Sequence, residues 1–66
     1  MLTDKQCDVV NAMAFGKMRV YLAAKIMRCN RETVRYHIKK IKEDTGLDAN
    51  DFFDLTQLVR MTEVEE

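Results

Sequence analysis

The chain has 66 residues, of which 47% are hydrophobic, and its eleven basic residues are balanced by eleven acidic ones. A chain of this length forms one domain with a thin core, because it buries only about 60% of the surface that its unfolded form exposes. No apolar run reaches the roughly 20 residues of a membrane span, and the first residues lack the basic-then-apolar order of a signal peptide, so we expect a cytoplasmic protein with no membrane partner.

The apolar residues recur at helical spacing and the chain contains no proline, which predicts an all-α fold of four helices. The first helix is expected over residues 4–15. Thr3 is suited to its N-cap, and Gln6 three residues later completes a capping box. Gly16 is expected to let the chain leave the helix. The inward stripe consists of Val10, Met13 and Ala14, with Gln6 or Val9 at its edge.

The second helix is short and is expected over residues 20–27. Its adjacent small residues, Ala23 and Ala24, let another backbone come close. A three-residue break, Arg28-Cys29-Asn30, follows it. Of the two cysteines, Cys29 has the better claim to a core position, because thiols are often buried.

The third helix is expected over residues 31–45, with Asn30 as its N-cap and Gly46 as its stop. Counted at 100° per residue, this helix has one apolar side and one mainly basic side. The apolar side consists of Val34, Ile38 and Ile41, with His37 at the edge of the core. The basic side could simply be a solvated surface, which is the usual role of charged residues on a helix.

The fourth helix is expected over residues 51–60, capped by Asp48 or Asn50, and residues 62–66 form an acidic tail. Its predicted inward stripe consists of Phe52, Leu55 and Val59. Three further apolar residues lie off that stripe: Phe53, Leu58 and Met61. Either the first helix of the same chain covers them, or they form a surface for another molecule.

The net charge of zero hides a strong segregation along the chain. Nine basic residues and one acidic residue, Glu32, lie between Lys17 and Lys42, which gives that segment +8. The remainder has two basic and ten acidic residues, which gives −8. This distribution indicates a basic surface directed at a polyanion, with acidic ends directed away from it.

A short helix, a three-residue turn and a second helix form a helix-turn-helix, whose second helix enters the major groove of DNA. The predicted base contacts are side chains that can pair with base edges: Arg31, Glu32, Arg35, Tyr36 and Lys39. The predicted phosphate contacts lie ahead of the two helices or on their flanks: Lys17, Arg19, Asn30, Thr33 and Lys40. Two alternatives stay open, since the Tyr36 ring could instead pack on a neighbouring helix and Thr33 could serve only the first helical turn.

The segment NRETVRYHIKKIKEDTGLD, residues 30–48, resembles the C-terminal DNA-binding domain of PucR-type regulators, which show a pattern close to HRNTLRYRLxRIxxxTGLD. The shared elements are Arg31, Thr33, Arg35, Tyr36, Ile41 and the ending Thr45-Gly46-Leu47-Asp48, followed by Phe53-Asp54-Leu55 and Leu58. The family's usual histidine is Asn30 here, and its asparagine is Glu32. The resemblance implies a fold unrelated to the winged helix and double-stranded DNA as the partner.

The opening of the chain, LTDKQCDVVNAMAFG, is similar to the start of LuxR-type helix-turn-helix domains. The similar positions are Leu2, Thr3, Gln6, Val9, Val10, Met13, Ala14 and Gly16. The larger families carry a sensor or receiver domain ahead of this module. This sequence shows no such domain, so the resemblance is to a stand-alone module of the kind found as short proteins in bacteria and their phages. We therefore expect no small-molecule ligand.

One module of this size makes few base contacts, so we expect a homodimer that places two such helices about 34 Å apart on one face of DNA. The expected dimer interface is on the fourth helix and consists of Phe53, Leu58 and Met61. The alternative hypothesis is a protein-interaction module that binds a larger regulator or a polymerase subunit through the same helix. We expect no enzyme activity and no cofactor, since the sequence has no serine, no glycine-rich phosphate loop and no zinc-ligand spacing.

Overall fold

The structure is a computed structural model in which residues 2–62 are described. It contains four helices: α1 (Asp4–Phe15), α2 (Val20–Met27), α3 (Arg31–Thr45) and α4 (Phe52–Thr62). No strand occurs within residues 2–62, so the predicted all-α fold is confirmed. The first three helices have the predicted bounds, whereas α4 begins one residue later and ends two residues further along. Residues 63–66 of the predicted acidic tail lie outside the described part of the chain.

Helix α1 lies at the centre of the fold and packs against each of the other three helices, while α2 also packs against α3. Its buried residues are Gln6, Val9, Val10, Ala12 and Met13. The predicted stripe was wrong at Ala14, which is exposed, and it missed Ala12, which is 2% exposed. Because α1 has neighbours on several sides, its buried surface is wider than the one stripe that a helix on the surface of a core would need.

The predicted capping box at the start of α1 is confirmed. The Thr3 hydroxyl accepts from the Gln6 backbone N–H at 3.1 Å, and Gln6 Oε1 accepts from the Thr3 backbone N–H at 3.1 Å. The amide nitrogen of the same side chain, Gln6 Nε2, donates to Asp44 Oδ2 at 2.8 Å. One buried amide therefore caps α1 and joins it to the last turn of α3.

The chain leaves α1 at Gly16 as predicted, but Gly16 itself has a φ of −85°, and the left-handed conformation begins at Lys17. A Cβ at this position would lie 3.0 Å from the carbonyl oxygen of Ala12 and 3.1 Å from the backbone nitrogen of Ala23. Gly16 thus favours the close approach of α1 to α2, since a larger residue would displace the neighbouring backbone by a few tenths of an ångström.

Three helices end through residues in the left-handed region: Lys17 (φ 56°) and Met18 (φ 66°) after α1, Arg28 (φ 59°) after α2 and Gly46 (φ 81°) after α3. At the ends of α1 and α2 a backbone N–H donates to the carbonyl oxygen five positions earlier. These hydrogen bonds run from Met18 N–H to Met13 O at 2.8 Å and from Cys29 N–H to Ala24 O at 3.0 Å. This is the Schellman arrangement, in which glycine is favoured at the left-handed position. A non-glycine residue there costs about 1–2 kcal/mol.

Asp51 caps α4, and neither Asp48 nor Asn50 does. Asp51 Oδ2 accepts from the Asp54 backbone N–H at 3.1 Å, and Asp54 Oδ2 accepts from the Asp48 backbone N–H at 3.0 Å. These two bonds fix the connection between α3 and α4 and set where α4 begins.

The predicted orientation of α4 was wrong at two residues. Leu58 is fully buried in the core, whereas Phe52 is 62% exposed. The buried side consists of Leu55 and Leu58, with Val59 partly buried beside them, which is an i, i+3, i+4 set that faces α1. Leu58 is therefore covered by α1 of the same chain, which was one of the two alternatives predicted for the apolar residues outside the inward stripe.

Candidate nucleic-acid interface

Helix α3 is held by its apolar side. Val34 and Ile41 are fully buried and Ile38 is 6% exposed, so the predicted core residues of this helix are confirmed. The small side chains of Ala23 and Ala24 are also buried, and they allow α2 to pack closely against α3 and α1. Packing on one side therefore fixes which side of α3 remains in water.

The side of α3 that remains in water carries the predicted base contacts. All of them are exposed: Arg31, Glu32, Arg35, Tyr36 and Lys39. The Tyr36 ring is 58% exposed and meets the His37 ring edge-on, with 5.3 Å between the ring centroids and 70° between the planes. Tyr36 therefore does not fill the core, and His37 is partly buried, as expected at the edge of the core.

The predicted phosphate contacts are exposed as well, with one exception. Lys17, Arg19 and Lys40 are exposed, whereas Thr33 is partly buried. Asn30 caps α3, because its Oδ1 accepts from both the backbone N–H and the hydroxyl of Thr33 at 2.9 Å. The Thr33 hydroxyl proton is thus used inside the protein, which weakens its claim to a phosphate.

Within residues 2–62 the side chains form a single ion pair, between Lys40 and Glu43 at 3.8 Å. Both side chains of that pair are about half exposed, and such surface pairs contribute little to stability. The other cations of the basic segment are therefore not neutralised by carboxylates of the described chain, and their charge is available to an external anion.

Three exposed cations of the basic segment were not among the predicted contacts: Lys25, Arg28 and Lys42. Arg28 lies in the turn between α2 and α3, three residues before Arg31. Its left-handed backbone is the feature that distinguishes it, and residue type alone gives no sign of that conformation.

Three large apolar side chains of α4 are exposed, and together they are called the α4 surface: Phe52, Phe53 and, about two and a half turns after Phe52, Met61. Their exposed fractions are 62%, 75% and 37%, and the two phenylalanine rings meet edge-on at 5.6 Å. Leu58 is not part of this surface, because it is buried, so its prediction as a dimer contact was wrong. Beside Phe52 a groove of about 360 Å³ runs between α4 and the end of α1.

No helix in residues 2–62 is both long enough and apolar enough to cross a bilayer. Over the same range, no group of histidine, cysteine and acidic side chains is arranged to hold a metal ion.

A short helix, a three-residue turn and a second helix with an exposed basic side define a helix-turn-helix protein, a class that binds DNA. The family model of the PucR C-terminal helix-turn-helix domain matches residues 10–62. Because this match covers most of the chain, the protein belongs to that family, and the resemblance predicted from residues 30–48 is confirmed. The match begins within α1 and does not test the similarity of the opening residues to LuxR-type domains. No curated protein and no solved structure matches the chain.

Proposed function

We propose that this protein binds double-stranded DNA in a sequence-specific manner and regulates transcription, with α3 as the recognition helix in the major groove. The observation that carries the proposal is the division of α3 into a fully buried aliphatic side and an exposed basic side, in a chain that belongs to a helix-turn-helix family. An α-helix with its side chains is about 10–12 Å across, which matches the width of the major groove at about 12 Å. The 15 residues of α3 would extend about 22 Å along its axis.

The proposed base contacts occupy the exposed side of α3. Arg31, Arg35 and Lys39 are suited to guanine O6 and N7, and Glu32 is suited to the amino group of cytosine. The Tyr36 ring is exposed and offers both a hydroxyl and an apolar face to the groove. Glu32 repels phosphate, so its presence favours a specific base partner over general attraction to DNA.

The proposed phosphate contacts lie at the start of α3, on α3 itself and in the connection between α1 and α2. Lys17, Arg19 and Lys40 supply charge, while Asn30 has an amide nitrogen beyond the oxygen that caps α3. Thr33 remains in the set only if its hydroxyl exchanges Asn30 for a phosphate oxygen. These contacts would fix the orientation of α3 without reading the sequence.

We further propose that the protein acts as a homodimer joined through the α4 surface, with Phe53 and Met61 as predicted and Phe52 added. Exposed aromatic side chains that adjoin a groove are typical of contact surfaces. A second copy is favoured over a different protein partner because two recognition helices are what specific binding by so small a module needs.

The first experiment is a selection of bound sequences from random duplexes, followed by a salt titration on the selected duplex. For about six phosphate contacts the affinity should fall by roughly 10³-fold between 50 and 200 mM salt. An affinity that hardly depends on salt would contradict the proposal and favour the alternative, a module that binds other proteins.

The second experiment compares Arg35→Ala with Lys5→Ala, a matched control because Lys5 is exposed on α1 outside the basic segment. Arg35→Ala should cost about 1–3 kcal/mol of binding free energy and relax the preference at one base pair. Lys5→Ala should leave both unchanged. If Arg35→Ala keeps the wild-type affinity and sequence preference, α3 is not placed in the groove as proposed.

A further inference from the structure

The left-handed positions at the ends of α1, α2 and α3 carry different types of residue. Gly46 follows α3, where the chain becomes acidic, and glycine is the residue that this conformation favours. Lys17 and Arg28 occupy the same conformation at the two ends of the basic stretch that contains α2. Met18 (φ 66°) is left-handed as well, but its side chain packs against the core. Lys17 and Arg28 are therefore the two residues that carry an exposed cation at a position where glycine would be less strained.

The internal structure gives no reason for the Arg28 side chain. The bonds that close α2 are made by backbone groups, including Cys29 N–H to Ala24 O at 3.0 Å, and any residue could provide them. Arg28 is exposed, and its guanidinium pairs with no carboxylate of residues 2–62. A cation that complements the dipole of α2 is already present in its last turn, at Lys25.

The position of Arg28 fits an external anion. In a helix-turn-helix the first helix crosses the DNA backbone, and here Arg28 ends that helix, three residues before Arg31. Lys17, a predicted phosphate contact, lies three residues before the start of the same helix. A helix of eight residues is about 12 Å long, so the two cations lie at opposite ends of a short helix that would cross the phosphate backbone.

We propose that Arg28 binds a DNA phosphate at the C-terminal end of α2, opposite Lys17 at its N-terminal end, and that this contact maintains arginine at a strained position. The proposal rests on the proposed function, since it takes duplex DNA as the ligand. It assigns a binding role to a residue in the turn, outside the recognition helix.

The test measures binding and stability together for Arg28→Gly, Arg28→Gln and Arg28→Lys on the selected duplex. Arg28→Gly should weaken binding about fivefold to tenfold at 0.1 M salt and reduce the slope of log affinity against log salt by about 0.9. Its urea midpoint of unfolding should be equal to or above that of the wild type, because glycine relieves the strain. Arg28→Gln should weaken binding equally without any gain in the midpoint, and Arg28→Lys should keep the slope.

Wild-type affinity and slope in both Arg28→Gly and Arg28→Gln would overturn the inference, and so would a loss of slope in Arg28→Lys equal to that in Arg28→Gly. Arg35→Ala on the same duplex separates the two proposals. If Arg35→Ala weakens binding and the uncharged Arg28 variants do not, only the Arg28 contact is wrong. If the wild type selects no duplex, the proposed function fails as well.

Discussion

Helices α3 and α4 each keep one side in water, and the largest exposed side chains of the two helices differ in chemistry. The exposed side of α3 carries Arg31, Arg35 and Lys39, whereas α4 exposes two phenylalanines and a methionine. Charged groups are well solvated in water, so exposure of the α3 side needs no partner to account for it. Exposed aromatic rings that lie side by side are less common on a monomeric protein and indicate a contact surface.

The two surfaces should therefore respond differently to salt. Binding through the α3 side releases counterions and weakens as salt rises. Association through the α4 surface depends on apolar burial and is little affected by screening. The salt dependence of each reaction identifies which surface is involved, and variants on one surface serve as controls for the other.

The largest expected effect is a loss of stability in Leu58→Ala, and Phe53→Ala is its control. Leu58 is fully buried, so its truncation should lower the free energy of unfolding by about 2–5 kcal/mol, which is much of what a domain of this size possesses. Phe53 is 75% exposed, and its truncation should change stability by no more than about 0.5 kcal/mol. Urea denaturation of the two variants checks both values; equal losses would mean that α4 is rotated from its described position.

A smaller effect is expected on association when Phe52 and Phe53 are both changed to serine. Burial of a phenylalanine side chain is worth about 1.5–3 kcal/mol, so the dimer dissociation constant should rise by at least about tenfold. Sedimentation equilibrium at 0.5 M salt measures it without interference from the basic surface. Arg35→Ala is the control and should leave association unchanged. A wild type that stays monomeric at high concentration, both free and with DNA, would remove the dimer from the proposal.

The sequence predicts α3 almost completely, because its signals agree with one another. An asparagine cap, a 3.6-residue apolar period and a stop at Gly46 all define the same helix and the same buried side. In α4 these signals conflict. Five large apolar side chains lie between residues 52 and 59, and the pattern permits more than one inward stripe. The choice of Leu55 and Leu58 over Phe52 depends on the Asp51 cap and on the position of α1, which are tertiary facts.

The candidate site shows the same limit. Residue type and spacing predicted the exposed basic side of α3, since both follow from helical geometry. They gave no sign of Arg28, because a left-handed backbone at an arginine depends on how α2 ends and meets α3. The link between Gln6 and Asp44 was also beyond prediction, since it joins residues 38 positions apart.

The hydrogen bond between Gln6 and Asp44 should contribute to stability because it joins α1 to the last turn of α3. Gln6→Leu removes the donor to Asp44 and the acceptor for the Thr3 N–H, so it should lower stability by about 1–2 kcal/mol. The double variant Gln6→Glu with Asp44→Asn reverses donor and acceptor and should recover most of the loss. Thermal unfolding of the three proteins measures this. If the double variant is no more stable than Gln6→Leu, the contact between α1 and α3 does not depend on this bond.

The smallest effect is expected at Asn30, where two substitutions separate folding from binding. Asn30→Ala removes the cap of α3 and should cost about 1 kcal/mol of stability. Asn30→Asp keeps an oxygen that accepts from the Thr33 backbone N–H, and its charge suits the N-terminus of α3, so stability should match or exceed the wild type.

The same aspartate places a negative charge beside the proposed DNA phosphates and lacks the amide nitrogen that would donate to them. Duplex affinity of Asn30→Asp should therefore fall below that of Asn30→Ala, although the aspartate variant is the more stable of the two. Fluorescence anisotropy on the selected duplex ranks the two variants by affinity, and their urea midpoints rank them by stability. If affinity followed stability, Asn30 would act on α3 alone, and the DNA backbone would lie away from the start of that helix.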